Sequence, residues 1–391
     1  MSCAGCARAA RTSSCPATAT RRGGPPAMRA DARACTTSFR PGATSGRSCA
    51  SAGGRPSSSA SSREVRRGSG RRGKPGGRAP MLTIIITGPT CSGKGRAAVE
   101  LARALDAEIV SLDSMKVYRH MDIGTAKPPA ALRVERPFHL IDIVDPCEEY
   151  STGRYVRDAL RCLAEIRARG RPAIVAGGTP LYLRALVRGF CPAPRGDAEE
   201  RARMEARIAA EGLEALYEEL RRVDPAAARK IHPNDKRRIT RALEVHRASG
   251  VPFTELWKRS VPGLAPGSFR LLGIAWPREA LCRRIEERAD RMAAAGLFEE
   301  ARAVAAMFPA RSRTAAQCIG YREIWDAMEG MDSEAAVLER IKTNTRRFAR
   351  KQLTWFRGFP EIEWLAAEGR SASAVAMDAL DRLGARSGGA P

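Results

Sequence analysis

A glycine-rich octapeptide at residues 88–95 most constrains the fold of this 391-residue chain. It reads GPTCSGKG, follows the apolar, β-branched run 82–87, and leads into helical periodicity from about Lys94. Glycines let successive backbone N–H groups and a helix N-terminus face an anion, while the lysine adds a mobile positive charge. The segment therefore predicts a phosphate-binding loop (P-loop); a glycine-rich turn without a ligand is the alternative.

The last position of the octapeptide departs from the usual P-loop pattern. Gly95 stands where a Ser or Thr hydroxyl normally contacts Mg²⁺. Phosphate binding by the backbone does not need that hydroxyl, whereas the metal contact does. We expect Mg²⁺ to be held mainly by the substrate's own diphosphate, with Thr90 or Ser92 as partial substitutes.

Further strand-like runs occur at residues 108–112, 139–144, 172–176 and 269–275, separated by loops or helices. Short apolar strands that alternate with helices predict an α/β fold whose mostly parallel sheet is covered on both faces. We expect a P-loop NTPase-like core over residues 81–391. Charged helical sequence at about 195–262 predicts a helical insertion domain within it. Further helices are expected at 278–294, 316–328 and 333–357, which makes the C-terminal part helical.

The net charge of +24 is concentrated near the N-terminus. Residues 1–80 hold 16 Lys and Arg, only two acidic residues, and no Leu or Ile, so their net charge is +14. Such a segment cannot bury enough apolar surface to fold, and we interpret it as a disordered basic extension. Alternatives are a start at Met81, an organelle transit-like leader, or a basic tail that supplements nucleic-acid binding. A cytoplasmic protein is expected, or an organellar one if the leader is a transit peptide.

No apolar run in the sequence approaches the roughly 18 residues that a membrane helix needs, which excludes a membrane-spanning protein. No membrane partner is expected either.

The second predicted strand ends at Asp113, next to Ser114. In a parallel sheet this carboxylate would lie beside the P-loop, at the carboxyl edge where ligands bind. It could hold magnesium through water or act as a general base. A helix cap without catalytic function is the alternative for an Asp at this position.

Seven sequence blocks together strongly resemble the bacterial-type tRNA dimethylallyltransferases of the IPP transferase family. The resemblance covers about residues 82–366. One P-loop would be a weak signal, but seven blocks in the right order are specific. The blocks lie at residues 88–94 with 113–114, 121–128, 177–182, 232–244, 284–288, 318–322 and 350–357.

The resemblance implies transfer of a dimethylallyl group from dimethylallyl diphosphate to N6 of adenosine 37 in tRNAs that read codons beginning with U. It implies that Asp113 accepts the amine proton and that Thr179 and Arg288 complete the catalytic set. The implied cofactor is Mg²⁺. The implied diphosphate-binding residues are Gly88, Pro89, Thr90, Cys91, Ser92, Gly93, Lys94 and Gly95.

The resemblance also implies a tRNA anticodon stem-loop as the partner of a monomeric enzyme. Gln317 replaces a residue that is usually basic, which would weaken one contact. The implied tRNA-contacting positions are Asp113, Ser114, Met115, Lys116, Thr179, Arg201, Arg237, Arg238, Ile239, Thr240, Arg241, Gln317, Cys318, Ile319, Gly320, Tyr321 and Arg322. From residue type alone, Arg237, Arg238 and Arg241 would form a solvated helix face. In the predicted helix 333–357, Trp355 and Phe356 would be core anchors rather than base-stacking platforms.

Two other functions remain open from the sequence. A small-molecule kinase would use the same P-loop on ATP, with Asp113 deprotonating a substrate hydroxyl; the missing hydroxyl at Gly95 argues against it. A catalytically decayed RNA-binding homologue would keep the fold without activity, and the departure at Gly95 is its sole support.

Overall fold

Six strands form a single parallel sheet in the computed structural model, which describes residues 82–384 except 192, 195, 196 and 331. The spatial order is β3-β2-β4-β1-β5-β6, and every neighbouring pair is parallel. The predicted α/β fold is therefore confirmed. The strands are β1 (Thr83–Thr87), β2 (Glu108–Leu112), β3 (Phe138–His139), β4 (Ala173–Gly177), β5 (Phe269–Ala275) and β6 (Glu363–Ala366).

Helices connect these strands and extend beyond the sheet. The α-helices of the described residues are α1 (Lys94–Leu105), α2 (Ala130–Glu135), α3 (Thr152–Ala168), α4 (Pro180–Arg188), α5 (Ala198–Glu211), α6 (Leu213–Val223), α7 (Pro225–Ala228), α8 (Lys236–Ser249), α9 (Phe253–Lys258), α10 (Arg278–Ala294), α11 (Leu297–Met307), α12 (Tyr321–Met328), α13 (Glu334–Phe356) and α14 (Ala372–Gly384).

Both faces of the sheet are covered, which explains the continuous apolar strands. In β1 the side chains alternate between two hydrophobic clusters. Ile85 packs with residues of α3 and α4, while Ile84 and Ile86 pack against α1 and α14. All five β1 residues are buried as a result. The carboxyl end of β1 is thereby held rigidly in the middle of the sheet.

Two expected elements differ from the structure. The strand predicted at 139–144 is reduced to Phe138–His139, because Leu140 and Asp142 have positive φ angles of 62° and 56° that end the extended backbone. At its far end, Val144 forms an isolated parallel bridge with Tyr118. The helix predicted at 316–328 is split by Gly320, whose φ of 99° separates a 3₁₀ turn at Ala315–Gln317 from α12.

Helices α5 to α9 occupy the segment for which a helical insertion was predicted. Met204, Leu216, Leu220 and Leu243 form a hydrophobic cluster there that is separate from the clusters on the sheet. That this segment is a domain of its own stays a prediction.

The predicted basic extension, residues 1–80, lies outside the described residues. Among the helices from 82 to 384 that the structure describes, none combines the length and apolar character needed to cross a membrane.

Candidate active site

The P-loop joins the end of β1 to the start of α1. Gly93 is the residue before α1 and has a φ of 85°, a left-handed conformation that glycine adopts without a steric penalty. Cys91 is also left-handed, with a φ of 64°. This backbone places the N-terminus of a 12-residue helix at the carboxyl edge of the sheet, as an anion site requires.

Lys94 is the cation of the loop. Its Nζ donates to the carbonyl of Pro89 at 3.0 Å. Burial lowers the pKa of Lys94 to about 8; the negative charge of Asp113 opposes this shift, and the positive charges of Lys116 and Arg288 add to it. The four charged groups therefore interact in one site, although they come from three separate parts of the sequence.

Helix α10 holds the loop from the other side. Arg288 donates through Nη2 to Thr90 Oγ1 at 2.6 Å, and Arg284 donates through Nε to the Cys91 carbonyl at 3.0 Å. The Arg284 guanidinium also stacks on Trp276, 4.1 Å from the ring centroid, and Trp276 Nε1 donates to the Ser92 carbonyl at 2.8 Å.

The sequence predicts a role at this loop for Arg288, but none for Arg284, which lies in the same block 284–288, and none for Trp276. Arg284 lies four residues, about one helical turn, before Arg288, and this spacing was the available signal.

Asp113 directly follows β2, and its carboxylate is oriented by its own turn. Oδ1 accepts from the backbone N–H of Met115 at 2.9 Å and of Lys116 at 3.3 Å. Oδ2 has no hydrogen-bond donor among the described residues. One oxygen thus fixes the carboxylate, as in a capping turn, and the other is left to accept a proton. The capping and general-base alternatives are therefore compatible in one side chain.

Thr179 lies two residues after the end of β4 and directly before α4, close to Asp113. Its Oγ1 accepts from the Ser114 N–H at 3.0 Å and donates to Ser114 Oγ at 3.4 Å. Its backbone N–H donates to the Leu112 carbonyl of β2 at 3.2 Å. The ends of β1, β2 and β4 therefore bring together the P-loop, Asp113 and Thr179.

Comparison with known proteins assigns this arrangement to a family. A family model described as IPP transferase matches residues 116–359, and one described as isopentenyl transferase matches residues 81–140. The chain belongs to the IPP transferase family. Its members transfer prenyl groups, so the chain is a prenyl-transferring enzyme with the P-loop NTPase-like core that its sequence predicted.

Curated relatives and solved structures agree with this assignment. A tRNA dimethylallyltransferase of Stenotrophomonas maltophilia is 45% identical over 293 residues, which are 72% of this chain and 92% of the relative. One from Thermomicrobium roseum is 46% identical, with 73% and 86% coverage. The tRNA isopentenylpyrophosphate transferase structure from Bacillus halodurans has a TM-score of 0.58 at 35% identity, covering 78% of this chain and 96% of that one.

A eukaryotic dimethylallyltransferase structure, described as acting on tRNA, has a TM-score of 0.65 at 27% identity, with 77% of each chain covered.

In this IPP transferase, four basic residues of α5 and α8 are predicted to contact tRNA, and they differ in exposure and in ion-pair partners. Arg237 and Arg238 are exposed. Arg201 and Arg241 both bind the buried Glu244, with Nε–Oε1 and Nη1–Oε2 distances of 2.6 and 3.2 Å. Two of the four guanidinium groups are therefore held in place by one carboxylate, to which the sequence assigned no role.

Buried positions among the predicted tRNA contacts face the protein interior. Ile239 on α8 is fully buried, and so is Tyr321 at the start of α12. Cys318 is 4% exposed, and burial raises the pKa of its thiol well above the usual value. The side chains of these three residues pack the core, so any tRNA contact there is left to backbone atoms and exposed neighbours such as Gln317.

Tyr321 has a specific structural role. Its hydroxyl donates to Glu300 and accepts from the Gly124 N–H at 3.2 Å. Glu300 in turn accepts from the N–H groups of Asp122, Ile123 and Gly124. Glu300 of α11 and Tyr321 of α12 thus fix the backbone of residues 122–124, in the loop between β2 and α2.

The aromatic pair at the end of α13 is divided. Phe356 is fully buried, as expected of a core anchor, whereas Trp355 is 39% exposed and that expectation was wrong for it. Adjacent helical residues point about 100° apart, so two neighbours cannot both face the core centrally.

Proposed function

We propose that this enzyme transfers the dimethylallyl group of dimethylallyl diphosphate to N6 of adenosine 37 in tRNAs that read codons beginning with U. The products are N6-dimethylallyladenosine and diphosphate. The observation that carries the proposal is the meeting of three strand ends, where a P-loop with Lys94 and Arg288 lies beside Asp113 and Thr179. This arrangement supports an anionic leaving group on one side and a proton acceptor on the other.

On the donor side, the diphosphate would bind the N–H groups of the P-loop and the start of α1, together with Lys94 and Arg288. Negative charge grows on the leaving oxygen as the carbon–oxygen bond breaks. Cations and N–H donors that are already in place stabilise that charge without reorganisation.

On the acceptor side, the N6 amine is a weak nucleophile because its lone pair is delocalised into the adenine ring. Its nitrogen forms the new bond to the dimethylallyl carbon, and the N6 proton passes to Asp113 Oδ2. An adenine stacked in the anticodon loop must first be turned out of the stack, at a cost of a few kcal/mol. Thr179 and residues 113–116 would contact the base that is turned out.

The site chemistry fits a magnesium ion, which the proposal includes as the cofactor. Mg²⁺ prefers oxygen ligands and commonly binds substrate phosphates with one or two protein groups and water. Ser92 Oγ is buried and has no hydrogen-bond partner in the described part of the chain, while Thr90 Oγ1 and Asp113 supply further oxygen atoms. When bound, the ion would neutralise charge on the diphosphate.

The proposal is tested by incubating the enzyme and unmodified tRNA with either dimethylallyl diphosphate or ATP. We expect diphosphate release that requires both tRNA and dimethylallyl diphosphate, with no ADP formed from ATP. Reactions without tRNA are the control. ADP formation without prenylated adenosine would indicate a kinase, and tRNA binding without product from either donor would indicate a decayed enzyme.

A further inference from the structure

Gln352 is a buried polar side chain that bridges two loops of the active site. It lies on α13 and is 3% exposed. Its Oε1 accepts from the Thr90 N–H of the P-loop at 2.8 Å, and its Nε2 donates to the Gly178 carbonyl at 2.5 Å. The two partners lie 262 and 174 residues away in sequence.

Packing around this bridge is close. A Cβ atom added to Gly178 would lie 2.8 Å from Gln352 Nε2 and 3.0 Å from Lys94 Nζ. A side chain at position 178 would therefore displace the amide or the P-loop lysine. Gln352, Gly178 and Lys94 thus meet with no room for a larger group.

The bridge continues from Gly178 to the general base. Thr179 follows Gly178 in the chain, and its Oγ1 accepts from the N–H of Ser114, the residue after Asp113. A connected path of hydrogen bonds and short backbone links therefore runs from the P-loop through Gln352 and Thr179 to Asp113.

We propose that Gln352 is a positioning residue that sets the separation between the diphosphate donor and the adenine acceptor. The inference rests on the proposed function, since that function requires the two substrates to react across this gap. A misplacement of about 1 Å costs on the order of 100-fold in rate when reacting atoms must approach in line. An amide suits the role because it supplies a donor and an acceptor from one rigid planar group.

The neighbours of Gln352 on α13 make it a fixed support. Ala349 and Phe356, three residues before it and four after it, are buried at 3% and 0% exposure. Helix α13 has 23 residues and packs along α10, which carries Arg284 and Arg288. The amide is thus mounted on the same helix pair that holds the P-loop.

The first test replaces Gln352 with Met, which has a similar length but makes no amide hydrogen bonds. We expect kcat for prenyl transfer to fall about 10- to 100-fold, with KM for both substrates within about threefold of the parent. The matched control is Thr354→Val at an exposed position of the same helix, for which kcat should stay within about twofold. A kcat for Gln352→Met within twofold of the parent would overturn the inference.

The second test separates positioning from a general loss of structure. Gln352→Glu keeps the acceptor for Thr90, but its ionised form cannot donate to Gly178. Burial beside the Gly178 carbonyl favours the protonated carboxyl, whereas the Lys94 ammonium, which also lies close to Gly178, favours the ionised one. Protonation, which restores a donor to Gly178, therefore takes place as the pH falls. We therefore expect the activity of Gln352→Glu, relative to the parent at each pH, to rise as the pH is lowered. A ratio that does not change with pH would contradict the role, and this holds even if Gln352→Met fails to fold.

A third test examines the path through Thr179. If Gln352 acts through it, Gln352→Met combined with Thr179→Val should lose little more than the larger single effect. Full multiplication of the two losses would argue against a shared path. Failure of the proposed function is distinguishable, because the parent itself would then form no prenylated tRNA; failure of this inference leaves parental activity intact.

Discussion

Asp113 is the proposed acceptor of the N6 proton. Asp113→Asn tests this role with little disturbance of structure. The amide Oδ1 can still accept from the Met115 N–H, which Asp113 Oδ1 does at 2.9 Å. An amide cannot accept the N6 proton, so turnover should fall by about 10² to 10⁴-fold while tRNA affinity changes little. Single-turnover rates and tRNA binding curves measure the two effects. A rate change below twofold would remove Asp113 from this role.

The lowered pKa of Lys94 predicts how the binding of dimethylallyl diphosphate depends on pH. Burial lowers its pKa from 10.5 to about 8, and a bound diphosphate favours the charged form. Affinity for dimethylallyl diphosphate should therefore be full below about pH 8 and weaken as the pH rises above it, by up to tenfold per unit. KM for the donor, measured from about pH 7 to 9.5, reports this.

The matched variant is Lys94→Arg, because an arginine keeps its charge throughout that range. Its KM should lose the dependence on pH, whatever its value at pH 7. A parental KM that is flat above pH 8 would show that the Lys94 charge does not contribute to donor binding.

Substitution of Gly95 tests how Mg²⁺ would be held. No atom lies within 4 Å of a Cβ added at this position, so Gly95→Thr is sterically permitted. If the substrate's diphosphate and other oxygen atoms leave a metal contact missing, the added hydroxyl should lower the Mg²⁺ concentration needed for half-maximal rate. Gly95→Ala controls for the gain in helix propensity. Equal Mg²⁺ requirements in all three proteins would mean that the missing hydroxyl is unimportant.

At the residue scale, the sequence identified the groups that bear charge or chemistry but not the groups that hold them. Lys94, Asp113 and Arg288 stand out because their residue types fit the reaction. Trp276 and Gln352 act through contacts with the P-loop from 184 and 262 residues away, and no local pattern encodes such contacts.

At the scale of elements, strands buried on both faces were the most predictable. Predicted and observed bounds agree for β2 and β5, since both are short and mainly apolar, and most of their residues are buried. β6 (Glu363–Ala366) was not predicted, because a four-residue edge strand with two intermediate positions has little pattern. β3 was predicted to extend to residue 144. It ends at His139 because Leu140 and Asp142 are left-handed, and neither is a glycine that would have indicated this conformation in the sequence.

The contact of Tyr321, at the start of α12, with Gly124 and Glu300 gives a prediction at the same scale. Tyr321→Phe removes the hydroxyl that contacts Glu300 and Gly124, leaving buried groups with fewer partners. The free energy of unfolding should fall by about 1 to 3 kcal/mol, as measured by urea titration. The affinity of the folded enzyme for tRNA should change by less than about threefold.

That comparison decides between two roles for Tyr321. Weaker tRNA binding with unchanged stability would favour direct contact, as the resemblance implied. Lower stability with unchanged tRNA affinity would favour the internal role that its burial indicates.

At the scale of the whole molecule, the total charge is a poor guide to function. Residues 1–80 contribute +14 of the +24, yet every site residue named above lies at position 88 or later. The family followed from seven ordered blocks, and the fold class followed from the alternation of short apolar strands with helices. The meeting of the P-loop, Asp113 and Thr179 depends on the strand order β2-β4-β1, which places three ends side by side and which a linear pattern does not specify.

The central claim is that this whole arrangement prenylates one base of the anticodon loop. The most direct test is the mass of the nuclease fragments of a tRNA transcript after reaction with dimethylallyl diphosphate. A transcript with guanosine in place of adenosine 37 is the control. A single dimethylallyl addition is expected on the fragment that contains adenosine 37, and none on the control. Addition at another nucleotide, or no addition by an enzyme that binds both substrates, would contradict it.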